Sequence, residues 1–263
     1  MTVIPPPGRT GPFTLGHRVE DGVRLASLLW RFGPGLRAVS SALVGGGIGP
    51  VEWVLNAQVP GGYARMDPVE HLRELAPPGP GVGMLTAAAV ERFTRAADGG
   101  ARAVATVGLR VPTWAASPEG VPDPELAPMR LASPPAGPAS PSVSPPAGHG
   151  PAPTASPAGP ASAAPYVPGT INIVVTVPVA LSDAALVNAV MTVTEAKTQA
   201  LVEEGFACTG TASDAVCVVA PAEGPEEPFG GPRSVWGARV ARAVHRAVRQ
   251  GARDWAHRDG LNT

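Results

Sequence analysis

The chain has 263 residues, 33 of them Pro and 32 Gly, about twice the usual share of those two residues, so it cannot be folded uniformly along its length. Twenty Lys and Arg stand against 21 Asp and Glu, a net charge of −1, which offers no general electrostatic ground for holding nucleic acid or an acidic surface. Two Cys exclude a disulfide scaffold, and no apolar run approaches the ~18 residues of a membrane-spanning helix.

Residues 1–11 contain three prolines and no apolar stretch of the secretory kind, so a flexible N-terminus and a cytoplasmic location are expected. From Phe13 to Val44, FTLGHRVE, GVRLASLLW and LRAVSSALV alternate as strands. Asp21-Gly22 and Gly33-Pro34-Gly35 supply the turns, which predicts an antiparallel meander ending at Gly45-Gly46-Gly47. Pro50 can open a short helix reaching Asn56. Asp67-Pro68-Val69-Glu70 is a helix start, and Pro77-Pro78 breaks that helix after Leu75. On this reading Asp67 is the cap and His71 a surface residue. A further helix is expected from Ala87 to Ala97, then a buried strand over 101–109.

Residues 116–168 hold 16 prolines in 53 positions, and no Asp, Glu, Lys or Arg occurs from Leu131 to Pro168. Such a Pro/Ala-rich stretch lacks the bulky apolar residues that offset ordering entropy, so a long disordered insert is expected. Beyond it come a buried strand (169–177), a long helix capped by Ser182 and reaching Glu204, a buried strand (215–220) and a last helix from Arg233 to His257. The fold class is therefore mixed α/β, of the α+β kind. One domain, 12–115 with 169–258, would carry a mixed sheet with helices packed on it.

Nineteen of the 20 basic residues are Arg, and Lys197 is the single Lys. At 100° per residue, Leu186, Val190, Val193, Ala200 and Leu201 share one face of the 182–204 helix. Asn188, Thr192, Glu195 and Gln199 share the opposite one. Lys197 falls near the centre of the apolar face, where it must snorkel or find a partner. Either it forms a structural ion pair, or its setting tunes it or Glu195 for proton transfer. Thr209-Gly210-Thr211-Ala212-Ser213-Asp214 precedes the 215–220 strand. It is either a Ser/Thr or Asx turn, or a loop offering N–H groups, hydroxyls and a carboxylate to a ligand. Ser40, Ser41 and the Gly45–Gly47 run permit close approach of a ligand or of another backbone. No phosphate-cradling glycine motif and no nucleophile elbow occur. The five His and two Cys have no zinc spacing, so no protein-held metal is expected. The Arg stripe of the last helix reads as a solvated face opposite the packing stripe Trp236, Val240, Val244 and Val248.

SSALVGGG (40–47), Asn56 with Val59-Pro60, DPVEHL (67–72), VGMLTA (82–87), TVGL (106–109), GTINIVV (169–175), LVNAVMTVTEAKTQAL (186–201) and TGTASDAV (209–216) together resemble the adenosylcobinamide amidohydrolase family. Ser213 departs from that pattern, where Thr is common. The resemblance implies hydrolysis of the amide that joins the corrin propionate to aminopropanol, giving adenosylcobyric acid and 1-amino-2-propanol for corrinoid salvage. The partner is then a small-molecule corrinoid, with no nucleic acid and no membrane; the substrate carries its own cobalt, and no resident cofactor is implied. Amide hydrolysis needs a nucleophile, a proton donor and oxyanion donors. The catalytic candidates are Glu195 or Asp214 as base, Lys197 as acid or electrostatic partner, and Thr211 as an activated hydroxyl. Ser41, Gly45, Gly46, Gly47, Asn56, Thr86, Asn172, Asn188, Thr192 and Ser213 are candidate substrate contacts. A non-catalytic corrinoid binder, or an enzyme acting on another amide or on a phosphorylated small molecule, are the alternatives, and the number of subunits is left open.

Overall fold

The structure is a computed structural model that describes residues 13–123 and 169–259. Residues 1–12, 124–168 and 260–263 lie outside it, and with them most of the expected insert and the whole expected flexible N-terminus. In chain order the elements are β1 (Phe13–Glu20), β2 (Val23–Arg31), β3 (Leu36–Ser40), β4 (Gly47–Pro50), β5 (Trp53–Gln58), α1 (Pro68–Leu75), β6 (Gly81–Thr86), a 3-10 turn (Val90–Arg92), β7 (Thr94–Asp98), β8 (Ala101–Gly108) and β9 (Pro112–Thr113). After the gap come β10 (Thr170–Thr176), β11 (Ala180–Leu181), α2 (Asp183–Glu203), β12 (Gly210–Thr211), β13 (Ala215–Pro221), β14 (Glu226–Glu227) and α3 (Val235–Asp259).

The strands form two main sheets, not the single sheet expected: β1-β2-β5-β6 and β4-β3-β13-β10-β8-β7. Both are mixed, since β5 runs parallel to β6 and β10 parallel to β13. Each parallel pair is joined by a helical crossover, α1 in one sheet and α2 in the other, as parallel pairing requires. The expected meander is only half present. β1 and β2 form a hairpin whose turn residues, Asp21 (φ 48°) and Gly22 (φ 77°), both take positive φ, which matches the right-handed twist of the strands. The third strand, β3, leaves for the other sheet and pairs with β13.

Two expected helices are strands. The 50–56 stretch becomes β4 and β5, because Trp53 through Ala57 are all buried and so must fill both faces of a covered sheet, a demand that outweighs Pro50 as a helix opener. The Ala-rich 87–97 stretch becomes the 3-10 turn and β7. Asp98-Gly99-Gly100, with φ 51° and 98° at the two glycines, folds β7 back onto β8. β6, which the sequence does not mark as a strand, completes the first sheet beside β5.

The layers follow from residue alternation. On β10 every residue is buried. Ile171, Ile173 and Val175 join the core made with α2 and α3, while Val174 joins the core between the two sheets. A third cluster, Trp53, Leu55, Ala57 and Leu72, seats α1 on the outer face of the first sheet. The order is thus α2 and α3, large sheet, small sheet, α1. Full burial of each Ile or Val in the middle strands contributes about 1.5–3 kcal/mol. Among the described residues no helix is long and apolar enough to cross a membrane.

Candidate functional site

Ser182 accepts from the Ala185 N–H at 3.2 Å and fixes the start of α2. Four turns on, Lys197 lies on the helix's core-facing side and is 7 % exposed. A lysine so placed requires a carboxylate, and Asp214, the residue just before β13, supplies it: Lys197 Nζ donates to Asp214 Oδ2 at 2.5 Å. The Thr211 N–H donates to the same oxygen at 3.1 Å. The other oxygen, Oδ1, accepts from the Ile171 N–H at 2.8 Å and from Thr211 Oγ1 at 2.5 Å. A carboxylate has about four acceptor positions, and here four donors meet them. Asp214 therefore ties helix α2, strand β10 and its own loop together around one buried charge.

Gly210 is required at this point. A Cβ there would lie 2.3 Å from Asp214 Oδ2 and 2.5 Å from Lys197 Nζ. The loop is held from outside as well: β12 pairs with β9, and Thr209 Oγ1 both donates to the Thr113 carbonyl and accepts from the Ala115 N–H. Ser213 Oγ lies 2.9 Å from Thr170 Oγ1 and donates to the Gly169 carbonyl at 3.2 Å.

One residue along both strands from this pair is a second polar group, buried between the sheets. Asn172, paired in register with Ala215, donates through Nδ2 to Asn56 Oδ1 and to the Leu85 carbonyl, both at 2.9 Å. Asn56 Nδ2 donates to Thr106 Oγ1 at 3.0 Å. The ends of β5 and β6 thus meet the start of β10 and the end of β8. Asn172 Oδ1 is buried without a hydrogen-bond partner among the described residues, a costly state for a polar atom. Thr86 Oγ1 accepts from the Ala88 N–H. Ser41 Oγ accepts from the Val216 N–H at 3.0 Å, and Ser40 Oγ donates to the Val216 carbonyl. These bonds anchor the end of β3 beside Asp214.

Of the residues the sequence singled out, Lys197, Asp214, Thr211, Ser213, Ser41, Asn56, Asn172 and Thr86 converge on this end of the sheets. The glycines divide. Gly45 (φ 71°) packs against β6, where a Cβ would sit 2.1 Å from the Gly81 carbonyl oxygen; Gly46 packs on the Ala42 carbonyl; Gly47 faces open space. Asn188 and Thr192 lie elsewhere: Thr192 donates to the Gly230 carbonyl at 2.9 Å, and a Cβ on Gly231 would approach Asn188 Oδ1. Glu195 is exposed on α2, with no hydrogen bond or ion pair among the described residues. Thr106, Thr170 and Gly210 also belong to the site, and the sequence does not single them out. For the two threonines the signal is a small polar residue at the end of a buried apolar run; Gly210 matters because no Cβ fits beside Asp214 and Lys197.

His71 corrects the surface reading. It is 3 % exposed, with Tyr63 Oη 2.9 Å from Nδ1 and Glu20 Oε1 3.0 Å from Nε2. Burial pushes the Glu20 carboxyl up, but hydrogen bonds from Arg18 and His71 outweigh it and hold the group below its ordinary range. Asp67 does not cap α1 through its side chain; it pairs with Arg65 instead. The two cysteines are poor nucleophiles. Burial pushes the Cys208 thiol up to about 11 and the Cys217 thiol up to about 12, so neither is a thiolate near neutral pH. Among the described residues no three His, Cys, Asp or Glu gather as a metal site.

Two archaeal proteins named adenosylcobinamide amidohydrolase are similar to part of the chain. The one from Methanosarcina mazei is 37 % identical over 92 residues, 32 % of this chain and 46 % of that protein. The one from Halobacterium salinarum is 39 % identical over 99 residues, 36 % of this chain and 42 % of that protein. The chain thus spans less than half the length of either relative. The family model for adenosylcobinamide amidohydrolase, in contrast, matches residues 12–260, and by that match the chain belongs to the adenosylcobinamide amidohydrolase family.

Proposed function

We propose that the chain hydrolyses the aminopropanol amide of adenosylcobinamide, releasing 1-amino-2-propanol and leaving adenosylcobyric acid. Family membership supports the substrate class. The observation that carries the chemistry is the buried Lys197–Asp214–Thr211 cluster: an ammonium, a carboxylate and a hydroxyl within 2.5 Å contacts of one another through Asp214.

In this scheme Thr211 Oγ1 attacks the amide carbonyl carbon while its proton passes to Asp214 Oδ1, to which it is already bonded. The tetrahedral intermediate collapses when Lys197 Nζ gives a proton to the amide nitrogen, and the C–N bond breaks. Lys197 recovers a proton from Asp214 across their 2.5 Å contact. Water then cleaves the threonyl ester: one of its protons passes through Asp214 to the departing Thr211 oxygen, and the corrin carboxylic acid leaves. Asp214 is preferred to Glu195 as base because it touches the hydroxyl it would activate, whereas Glu195 is exposed. Asn172 Oδ1 is suited to accept the substrate amide N–H. No resident cofactor enters these steps.

The test is incubation of the full chain with adenosylcobinamide and mass-spectrometric detection of both products. Release of both, with a transient mass adduct on the Thr211 peptide, is the expected result. Binding with the corrinoid intact would favour a non-catalytic corrinoid carrier, and no binding would remove the corrinoid altogether.

A further inference from the structure

Toward the far end of β10 lies a cavity of about 760 Å³ lined by residues of both sheets. That size falls within the range of small-molecule sites. We propose that it is a second binding site, separate from the Lys197–Asp214 cluster, for a flat aromatic molecule carrying one anionic group.

The walls set the shape of the ligand. Phe13, Trp30 and Phe93 line one side, with Phe13 tilted on Trp30 at 5.1 Å between ring centroids and edge-on to Phe93 at 5.0 Å. Val104 and Val174 floor the cavity from the opposite sheet. Facing sheets stand about 10 Å apart, so the space accepts a planar ring system with its edges or faces on the aromatic wall.

Two polar features set its chemistry. Thr176, 5 % exposed, lines the cavity, and its Oγ1 is buried with no hydrogen-bond partner among the described residues. Such a group is costly unless something bonds it. Arg95 and Arg102 also line the cavity, and Arg95 has no carboxylate partner among the described residues. The carboxylates nearest in sequence are already engaged: Glu91 with His17, and Asp98 with Arg242 and Arg246. Among the described residues the unpaired charge lining the cavity is therefore the Arg95 cation. Thr176 lies four residues along β10 from Asn172, so the Asn56–Asn172 bridge stands between this cavity and the Lys197–Asp214 cluster.

The test uses 2-naphthalenesulfonate as the probe and neutral 2-naphthalenemethanol as its control, titrated calorimetrically into the full chain. Saturable one-to-one binding of the sulfonate is expected, tighter than the alcohol by ~10-fold or more, as a charge-assisted contact implies. Arg95→Gln, at an exposed position, should abolish that preference. Thr176→Val, which removes only the hydroxyl, should weaken both ligands several-fold. Absence of saturable binding, or binding that neither substitution changes, would overturn the proposal. Because no corrinoid is used, the outcome is independent of the hydrolytic reading.

Discussion

Helices α2 and α3 pack side by side on one face of the large sheet, and both carry cations paired with carboxylates, but they place them oppositely. On α3, Arg242 and Arg246 reach out to Asp98, while Arg249 and Arg253 reach Glu204; all four arginines remain substantially exposed. On α2 the single lysine is turned inward and its partner is nearly as buried as itself. Asp98 and Glu204 are themselves only 19 % and 12 % exposed, so the contrast lies in the cation: an arginine left in water gains little net from its pair. A buried pair is different: its desolvation cost is large, and removing one partner leaves an uncompensated charge. Hydrophobic residues would fill the Lys197 position more cheaply, a cost that the proposed proton-transfer role would account for.

The largest expected effect comes from breaking the inward pair. Asp214→Asn removes the acceptor of the Thr211 proton, so turnover should fall ~100-fold or more, the scale of general-base loss. It also leaves Lys197 buried without a countercharge, at a cost of about 3–5 kcal/mol in denaturant unfolding. Thr211→Ser should keep measurable turnover and Thr211→Val should lose it; equal activity in the two would remove the hydroxyl from the mechanism.

Replacing both charges sharpens the contrast. The double variant Lys197→Met with Asp214→Leu should be at least as stable as the parent, by up to about 4 kcal/mol, yet inactive. If the double variant is instead as damaged as Asp214→Asn alone, the four hydrogen bonds to Asp214, rather than its charge, are what the fold requires.

Gly210→Ala probes the same pocket sterically. Its methyl would contact both Asp214 Oδ2 and Lys197 Nζ at under 3 Å, and overpacking of this kind costs about 1–3 kcal/mol. Both Tm and turnover should fall. An unchanged variant would mean that the loop can move away from the pair.

How much of this was legible beforehand depended on whether local pattern and tertiary demand agreed. The α2 helix was readable because Ser182, the 3.6-residue periodicity and the misplaced Lys197 all point the same way. The strands β8, β10 and β13 were readable as apolar runs bounded by glycine, proline or turn residues. β5 and β7 were not, because Pro50 and the alanines of 87–97 carry helical signals that sheet pairing overrides; Asp98-Gly99-Gly100 was the hairpin signal available for β7. The helical wheel placed Thr192 with Glu195 on the polar side, yet Thr192 is 1 % exposed. A loop distant in sequence, at Gly230, covers that flank of α2, and no periodicity within the helix encodes that. His71 reads as a surface residue from its own helix for the same reason: Tyr63 and Glu20 come to it from separate segments. The residues gathered around Asp214 were found because each belongs to a motif, whereas their meeting at the ends of two sheets depended on β6, which the sequence reading lacked.

The smallest effect is expected on the outward side of the comparison, where pH and salt are the instruments. Hydrogen bonds from Arg242 and then Arg246 hold the Asp98 carboxyl well below its ordinary range. Burial pushes Glu204 up, but bonds from Arg253 and Arg249 outweigh it and leave that group lowered too. A carboxyl whose folded value is depressed contributes stability that is fully present above its unfolded value, near 4, and is lost as pH falls through the folded value. Removing the arginine partners by Arg246→Ala with Arg253→Ala should therefore change Tm at neutral pH by no more than about 2 °C. Its Tm should differ from the parent's progressively less as pH falls from about 4 toward the depressed folded values of Asp98 and Glu204, over which range the parent loses the same contribution. Salt at 1 M should erase the neutral-pH difference, since screening reaches exposed pairs first. The Lys197–Asp214 pair should resist that salt. If 1 M salt weakened the parent as strongly as Asp214→Asn does, the inward pair would be solvated like the others, and the distinction between the two helices would fail.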